Sequence, residues 1–221
     1  MAKSFYICKY EKFSEDQNSI EYQLNMDNII DPQETQFKRS ECEFTLDSFL
    51  KFDAHHEIIF NKYGRANGQE FYHYIEPMDF NFYVNESEKI IIFSLKIDHA
   101  KDFVKTFNQF KNFNIEPFHI DFESIIKKVH SVTGAWFSDL TTPNMNAAAY
   151  YGENVNRSPN FEQSKVDGKL SSIQFYFQSD ETNKEHKIAI SRRSCIVLMD
   201  KFQDEELELR FVNKIYTTFI K

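Results

Sequence analysis

Apolar and polar residues alternate with a period of two along most of residues 4 to 96, the pattern of strands with one buried face. Strand candidates fall near 4–12, 19–26, 36–45, 56–63, 70–76, 80–85 and 89–96, and together they read as a β-meander. Within this region Leu46, Phe49, Leu50 and Phe52, bracketed by Asp47 and Asp53, fit helical spacing and predict one helical turn over 46–53.

After residue 98 the period changes. Ala100, Phe103, Val104, Phe107 and Phe110 fall on one stripe and predict a helix over 99–112, with Asp98 as its N-cap. Phe122, Ile125, Ile126 and Val129 repeat the spacing behind Asp121, and this second helix ends near His130. Strands follow near 171–178, 186–192 and 194–200. A closing helix over 204–220 places Leu207, Phe211, Ile215 and Phe219 on one side. Its Glu205, Glu206 and Glu208 lead and Lys214 and Lys221 trail, the order the macrodipole favours.

Two segments share an organisation: DFNFYVNESEKIIIFSLKIDHAKDFVKTFNQF and HKIAISRRSCIVLMDKFQDEELELRFVNKIYTTF. Each is a strand, a polar turn, an apolar strand and an amphipathic helix. The predicted fold is therefore α+β: an antiparallel sheet with helices packed on one face, built from two β-β-α units and preceded by a β-rich N-terminal lobe. Few identities link the segments, which leaves open whether the unit is duplicated or simply common. Dividing the chain at a turn expected around 77–79 gives a β-rich acidic lobe, 1–78, and an α+β domain, 79–221. The lobe carries 8 basic and 14 acidic residues and the domain 18 and 20, so the acidity belongs mainly to the first part.

At 221 residues the chain can bury a core without disulfides or metals. The 24 Phe and 11 Tyr, beside few Gly, Pro and Arg, are what AT-rich codons would produce, which lowers their value as a ligand signal. A net charge of -8 works against general attraction to phosphate backbones. The opening MAKSFYICKYEKF lacks a signal peptide's apolar core, and no apolar run approaches the ~18 residues of a membrane span. Cys8, Cys42 and Cys195 are few, odd in number and far apart, which suits a reducing compartment. A cytoplasmic protein without a membrane partner is the expectation.

Chemical signatures are sparse. His55 and His56, near Asp53, Glu57 and His73, are adjacent and so point to opposite faces of a strand, which prevents the pair from ligating one ion. HExxH, CxxC and carboxylate-loop patterns are missing, as are GxSxG and the Gly-rich phosphate loops. No metal or cofactor is expected, and catalytic residues are not assignable.

The stretch HSVTGAWFSDLTTPNMNAAAYYGENVNRSPNFE stands out. Gly134 marks a bulge or close approach in a strand, TTPNMN is turn chemistry, and AAAYY suits a short strand. Ser158 and Pro159 open a compact helix that Gly168 closes as a left-handed stop. Trp136, Asp139, Asn144, Asn146, Tyr150, Tyr151, Asn154 and Arg157 gather aromatics, amides and a guanidinium in this loop-rich span, a candidate ligand or partner surface. A second candidate is the pair of strands in which Tyr83 and Tyr176 lie among Asn and Gln on the polar side. With Arg192 and Arg193 they resemble in chemistry a surface for single-stranded bases.

Three functional readings follow. The leading one is a non-enzymatic interaction or regulatory protein that binds a protein partner or itself. The alternative is a nucleic-acid-binding protein that uses the aromatic and amide faces. The third is a hydrolase or transferase with an unfamiliar site in the loops.

Overall fold

The computed structural model describes residues 2–26, 29–41, 46, 48–179 and 182–221; Cys42 lies outside them. Its elements run β1 (Lys3–Lys9), β2 (Ser19–Met26), β3 (Ile29–Arg39), β4 (Phe49–Phe60), β5 (Gly64–Ala66), β6 (Gln69–Phe71), β7 (Tyr74–Asn85), β8 (Ile90–Phe93) and α1 (Ile97–Lys111). They continue as β9 (Glu116–Pro117), α2 (Phe122–Lys128), β10 (Val132–Ser138), β11 (Ala147–Tyr151), α3 (Pro159–Asp167), β12 (Lys169–Ser179), β13 (Lys184–Ser191), β14 (Cys195–Leu198) and α4 (Glu205–Ile215). A π-helical turn, Tyr216–Ile220, extends α4. The α+β class and its antiparallel sheet match the expectation.

The chain divides into two compact units. The meander unit, residues 9–116, orders its strands β2-β3-β4-β7-β8, all antiparallel. One face is covered by α1: the Phe103 ring lies 5.6 Å from His56, 5.1 Å from Phe80 and 5.8 Å from Phe93. Phe37, Phe52, Phe82, Phe107 and Phe113 complete a buried aromatic core, with Phe52 and Phe82 stacked at 5.1 Å. Each such pair contributes roughly 0.5–1.5 kcal/mol beyond the area it buries.

The terminal unit, residues 1–8 and 117–221, orders its strands β11-β10-β12-β13-β14-β1, again antiparallel. Phe175 and Phe177 on β12 meet Phe219 at 5.2 Å each, and Phe161 of α3 meets Phe137 of β10 at 5.2 Å. Register puts Phe137 and Phe175 on the same side, so α3 and α4 share one face, α2 is tied to them through Lys128 and Glu123, and among the described residues no helix of the unit packs on the other face. Local chemistry starts these helices. Asp121 accepts from the Glu123 and Ser124 N–H groups, Ser158 from Phe161 with Pro159 in the first turn, and Asp204 from Leu207 at 2.7 Å.

Several expectations are corrected. The helical turn expected over 46–53 is replaced by strand: among the described residues, β4 begins at Phe49, because Phe52, Ala54, His56 and Ile58 are buried at strand period. Asp98 is not the cap of α1 but sits in its first turn, behind Lys96. Gly168 has φ −157°, extended rather than left-handed. A Cβ there would lie 2.6 Å from Leu140 Cδ2 and 2.8 Å from the Ser138 carbonyl, so Gly168 serves close approach. The expected turn at 77–79, and with it the boundary after residue 78, falls inside β7, and the units divide instead near residues 8 and 116. Pro77 is tolerated because β8 pairs only with Phe82–Asn85, which leaves the earlier half of β7 paired to β4 alone. Between β4 and β7 the small β5–β6 hairpin turns through Asn67 and Gly68, both at positive φ.

Candidate functional site

Small residues shape the helix-free face of the terminal unit. Trp136 of β10 stands opposite Ser172 of β12, and Gly134 opposite Gln174. A Cβ on Gly134 would meet the Trp136 ring at 3.2 Å and the Gln174 Oε1 at 2.9 Å. The indole therefore lies back over Gly134 beside Gln174, held to the sheet instead of standing off it. Tyr151 of β11, 67% exposed, meets the indole edge-on at 5.3 Å.

This aromatic pair borders an open groove of about 680 Å³ lined by Trp136, Asp139, Lys169, Arg192 and Arg193, together with four serines and the apolar Ala189 and Met199. Both arginines are exposed in the β13–β14 turn, which is tied to β12 by the Arg192 N–H donating to the Ser171 carbonyl at 2.8 Å. Lys169 pairs with Asp139 at 3.2 Å, so the acid on the groove wall is already neutralised. Farther along β12, Tyr176 is 51% exposed and Lys187 of β13 lies 5.9 Å over its ring.

The residues singled out from sequence thus separate. Trp136, Asp139, Arg192 and Arg193 line one groove, Tyr151 abuts its indole, and Tyr176 stands on the same face. Tyr150 points the other way, where its hydroxyl bonds to Ser164 of α3 at 2.8 Å. Asn144 (φ 63°) and Asn154 (φ 52°) are turn formers in left-handed conformation, and the Asn146 carbonyl accepts from the Leu140 N–H. Arg157 is exposed on a 3-10 turn, Val155–Arg157. None of these five lines the groove. The expectation that Tyr83 forms an accessible face is corrected. Tyr83 and Asn85 are buried at 1% and 3% exposure, and Gln174 is buried too.

The meander unit carries its own hollow, about 660 Å³, also on the helix-free face. Register aligns Gln36, His55 and Asp79 across three strands, and Lys38, Asp53 and Asn81 beside them. His55 Nδ1 lies 2.7 Å from Asp79 Oδ1. No group of three His, Cys, Asp or Glu among the described residues is placed to hold a metal ion.

Sequence reasoning missed two buried histidines with matching partners. His56 Nδ1 meets the Thr35 hydroxyl at 2.8 Å and Nε2 meets Asp102 at 3.2 Å. His186 Nε2 meets the Thr182 hydroxyl at 2.9 Å and Nδ1 meets Asp200 at 3.2 Å. In each case the carboxylate accepts the ring N–H and the other nitrogen accepts the threonine proton. A Thr-His-Asp chain has the connectivity of a hydrolase triad, but Thr35 and His56 are fully buried and His186 is packed on Phe202 and Phe211 at 4.7 and 4.9 Å. The first is a latch between sheet and helix α1; the second ties β13 to the turn before it and to the loop after β14, beneath Phe211 of α4. The hydrogen bond from His56 holds the Asp102 carboxyl below the usual range against partial burial. Burial pushes the Cys195 thiol up to about 11 and raises Tyr6 as well, so neither supplies an anionic nucleophile near neutrality.

No protein-family model matches the chain, and no curated protein matches it. Among the described residues, no helix is long and apolar enough to cross a membrane.

Proposed function

We propose that the protein is a non-enzymatic interaction protein and that the helix-free face of β10, β12 and β13 receives a macromolecular partner. The observation that carries this reading is the placement of Trp136. The indole is fixed over Gly134 and flanked by an exposed tyrosine, on a face with no helix. Rigid aromatics of this kind supply large contact area at low entropic cost and are enriched where partners dock. The histidines with triad-like partners are core latches, which leaves binding as the better-supported role.

The test is affinity purification of the full chain from its native cells, with everything retained, protein and nucleic acid, identified and compared with the Trp136→Ala/Tyr151→Ala variant. A partner retained by the native chain and lost from a variant of unchanged circular dichroism supports the reading. Retention that survives both substitutions, or a chain that retains nothing and turns over a small molecule, overturns it.

A further inference from the structure

We infer that the partner taken by this face is single-stranded nucleic acid, a reading that rests on the face proposed above. Three observations support this occupant, and the first of them favours it over a protein surface. The first is charge. The chain as a whole is at -8, yet the terminal unit carries 14 basic and 14 acidic residues, and the whole deficit lies in residues 9–116. Within the neutral unit the helix-free face collects Lys169, Lys187, Arg192 and Arg193 against two acids, Asp139, which Lys169 already pairs, and Glu185, two residues from Lys187 on β13. That excess suits a polyanion.

The second observation is the spacing of the rings. Trp136 is opposite Ser172, but its indole lies back over Gly134 beside Gln174, two residues from Tyr176 on the same strand and face, a separation of about 7 Å at ~3.3 Å per residue. A strand of bases laid along β12 would meet one aromatic near each end of that span. Arg192 and Arg193 sit beside the first platform and Lys187 beside the second, each within reach of a backbone phosphate rather than of a base edge.

The third is the lining between them. Ser171 and Ser172 already donate to the Trp136 and Ile190 carbonyls, so they present only acceptor lone pairs that read no particular base, beside the apolar Ala189 and Met199. Recognition would therefore be by stacking and charge, tolerant of sequence and selective against duplex, whose bases are already stacked on each other.

Fluorescence anisotropy of the full chain with labelled oligothymidine and oligouridine 12-mers tests this, with a duplex of equal length as competitor. Binding through three or four phosphates should weaken roughly 20- to 50-fold between about 50 and 200 mM salt. Trp136→Ala should cost at least about fivefold while Trp136→Phe retains most of the affinity, as stacking requires. Arg192→Glu with Arg193→Glu should abolish binding and its salt dependence, and Tyr63→Ala, an exposed aromatic of the meander unit, should change nothing. Trp136→Phe and the arginine reversal keep the test decisive if Trp136→Ala fails to fold. No binding at low salt, equal preference for duplex, or indifference to both the indole and the arginines overturns the inference. A protein partner lost on Trp136→Ala/Tyr151→Ala in the absence of any oligonucleotide binding would overturn it too, while leaving the interaction reading intact.

Discussion

The meander unit and the terminal unit solve the same packing problem and then part company. Each lays a helix over one face of an antiparallel sheet, and each pins a buried histidine between a threonine and an aspartate beneath it, His56 in one and His186 in the other. Their open faces share nothing. One presents a histidine-carboxylate hollow around His55 and Asp79, the other an indole, a tyrosine and two arginines. The covered face is constrained by close packing and by the need to satisfy buried polar groups. The open face is free to take on chemistry, and that is where the units can differ in what they bind.

The sharpest way to break the comparison is to remove each latch. His56→Ala leaves a cavity and strands the buried Thr35 hydroxyl, His186→Ala leaves a cavity under Phe202 and Phe211, and each should cost about 3 kcal/mol in urea unfolding. A loss below about 1 kcal/mol in one of them would show that the two are not equivalent devices. Next in size is Gly134→Ala. Its Cβ must displace the Gln174 amide and the Trp136 ring, with an expected cost of about 1 kcal/mol and a shifted indole emission. An unchanged emission spectrum would mean that Gly134 does not set the indole.

Acid separates the latches further. Asp102 has a folded pKa depressed from the ordinary 3.8, chiefly by the hydrogen bond from His56. Its stabilising contribution is therefore fully present above about pH 4 and lost as pH falls through the lower folded value. Asp102→Asn should flatten that acid limb in a melting-temperature series from pH 2 to 5, whereas a limb of unchanged steepness would assign acid sensitivity elsewhere. The smallest effect belongs to a link within the terminal unit. Lys165 of α3 reaches Glu123 at 2.6 Å, and that hydrogen bond is the main cause of its raised pKa. Glu123→Gln should cost no more than about 0.5 kcal/mol, since the pair is partly exposed, and a loss above about 1 kcal/mol would contradict a surface link.

Much of the fold was legible because its signals are local. The cap at Asp204 and the apolar stripe behind it specify α4, and Ser158 with Pro159 specifies the start of α3. β12, β13 and β14 follow from period-two runs separated by polar turns. What escaped depends on neighbours. Tyr83 lies on the polar side of an alternating strand, yet it pairs with Ile92 in IIIF, a run buried on both faces, so its strand is covered on both sides there. The run itself carried that signal. β7 passes through Pro77 because only one of its margins is paired at that point, a fact no local pattern contains.

The candidate site was half legible. Trp136, Asp139, Arg192 and Arg193 were each conspicuous, but the two arginines were placed with Tyr176 rather than with the indole. Their meeting depends on the register of β10 with β12 and of β12 with β13, across more than fifty residues, and two shifts in the β10–β12 pairing lie in between. Asn144, Asn146 and Asn154 drew notice as amides, whereas their work is conformational.

Pro77 has a colloidal consequence. The first half of β7, from Tyr74 to Asp79, shows one margin that no strand of its unit occupies, and an unpaired margin is a template on which another chain can add itself. A proline in the middle of that row removes a donor, and Glu76 and Asp79 add like charges that repel an identical copy. The residue that looks like a flaw in the strand is a gatekeeper, guarding the sheet against self-templated growth.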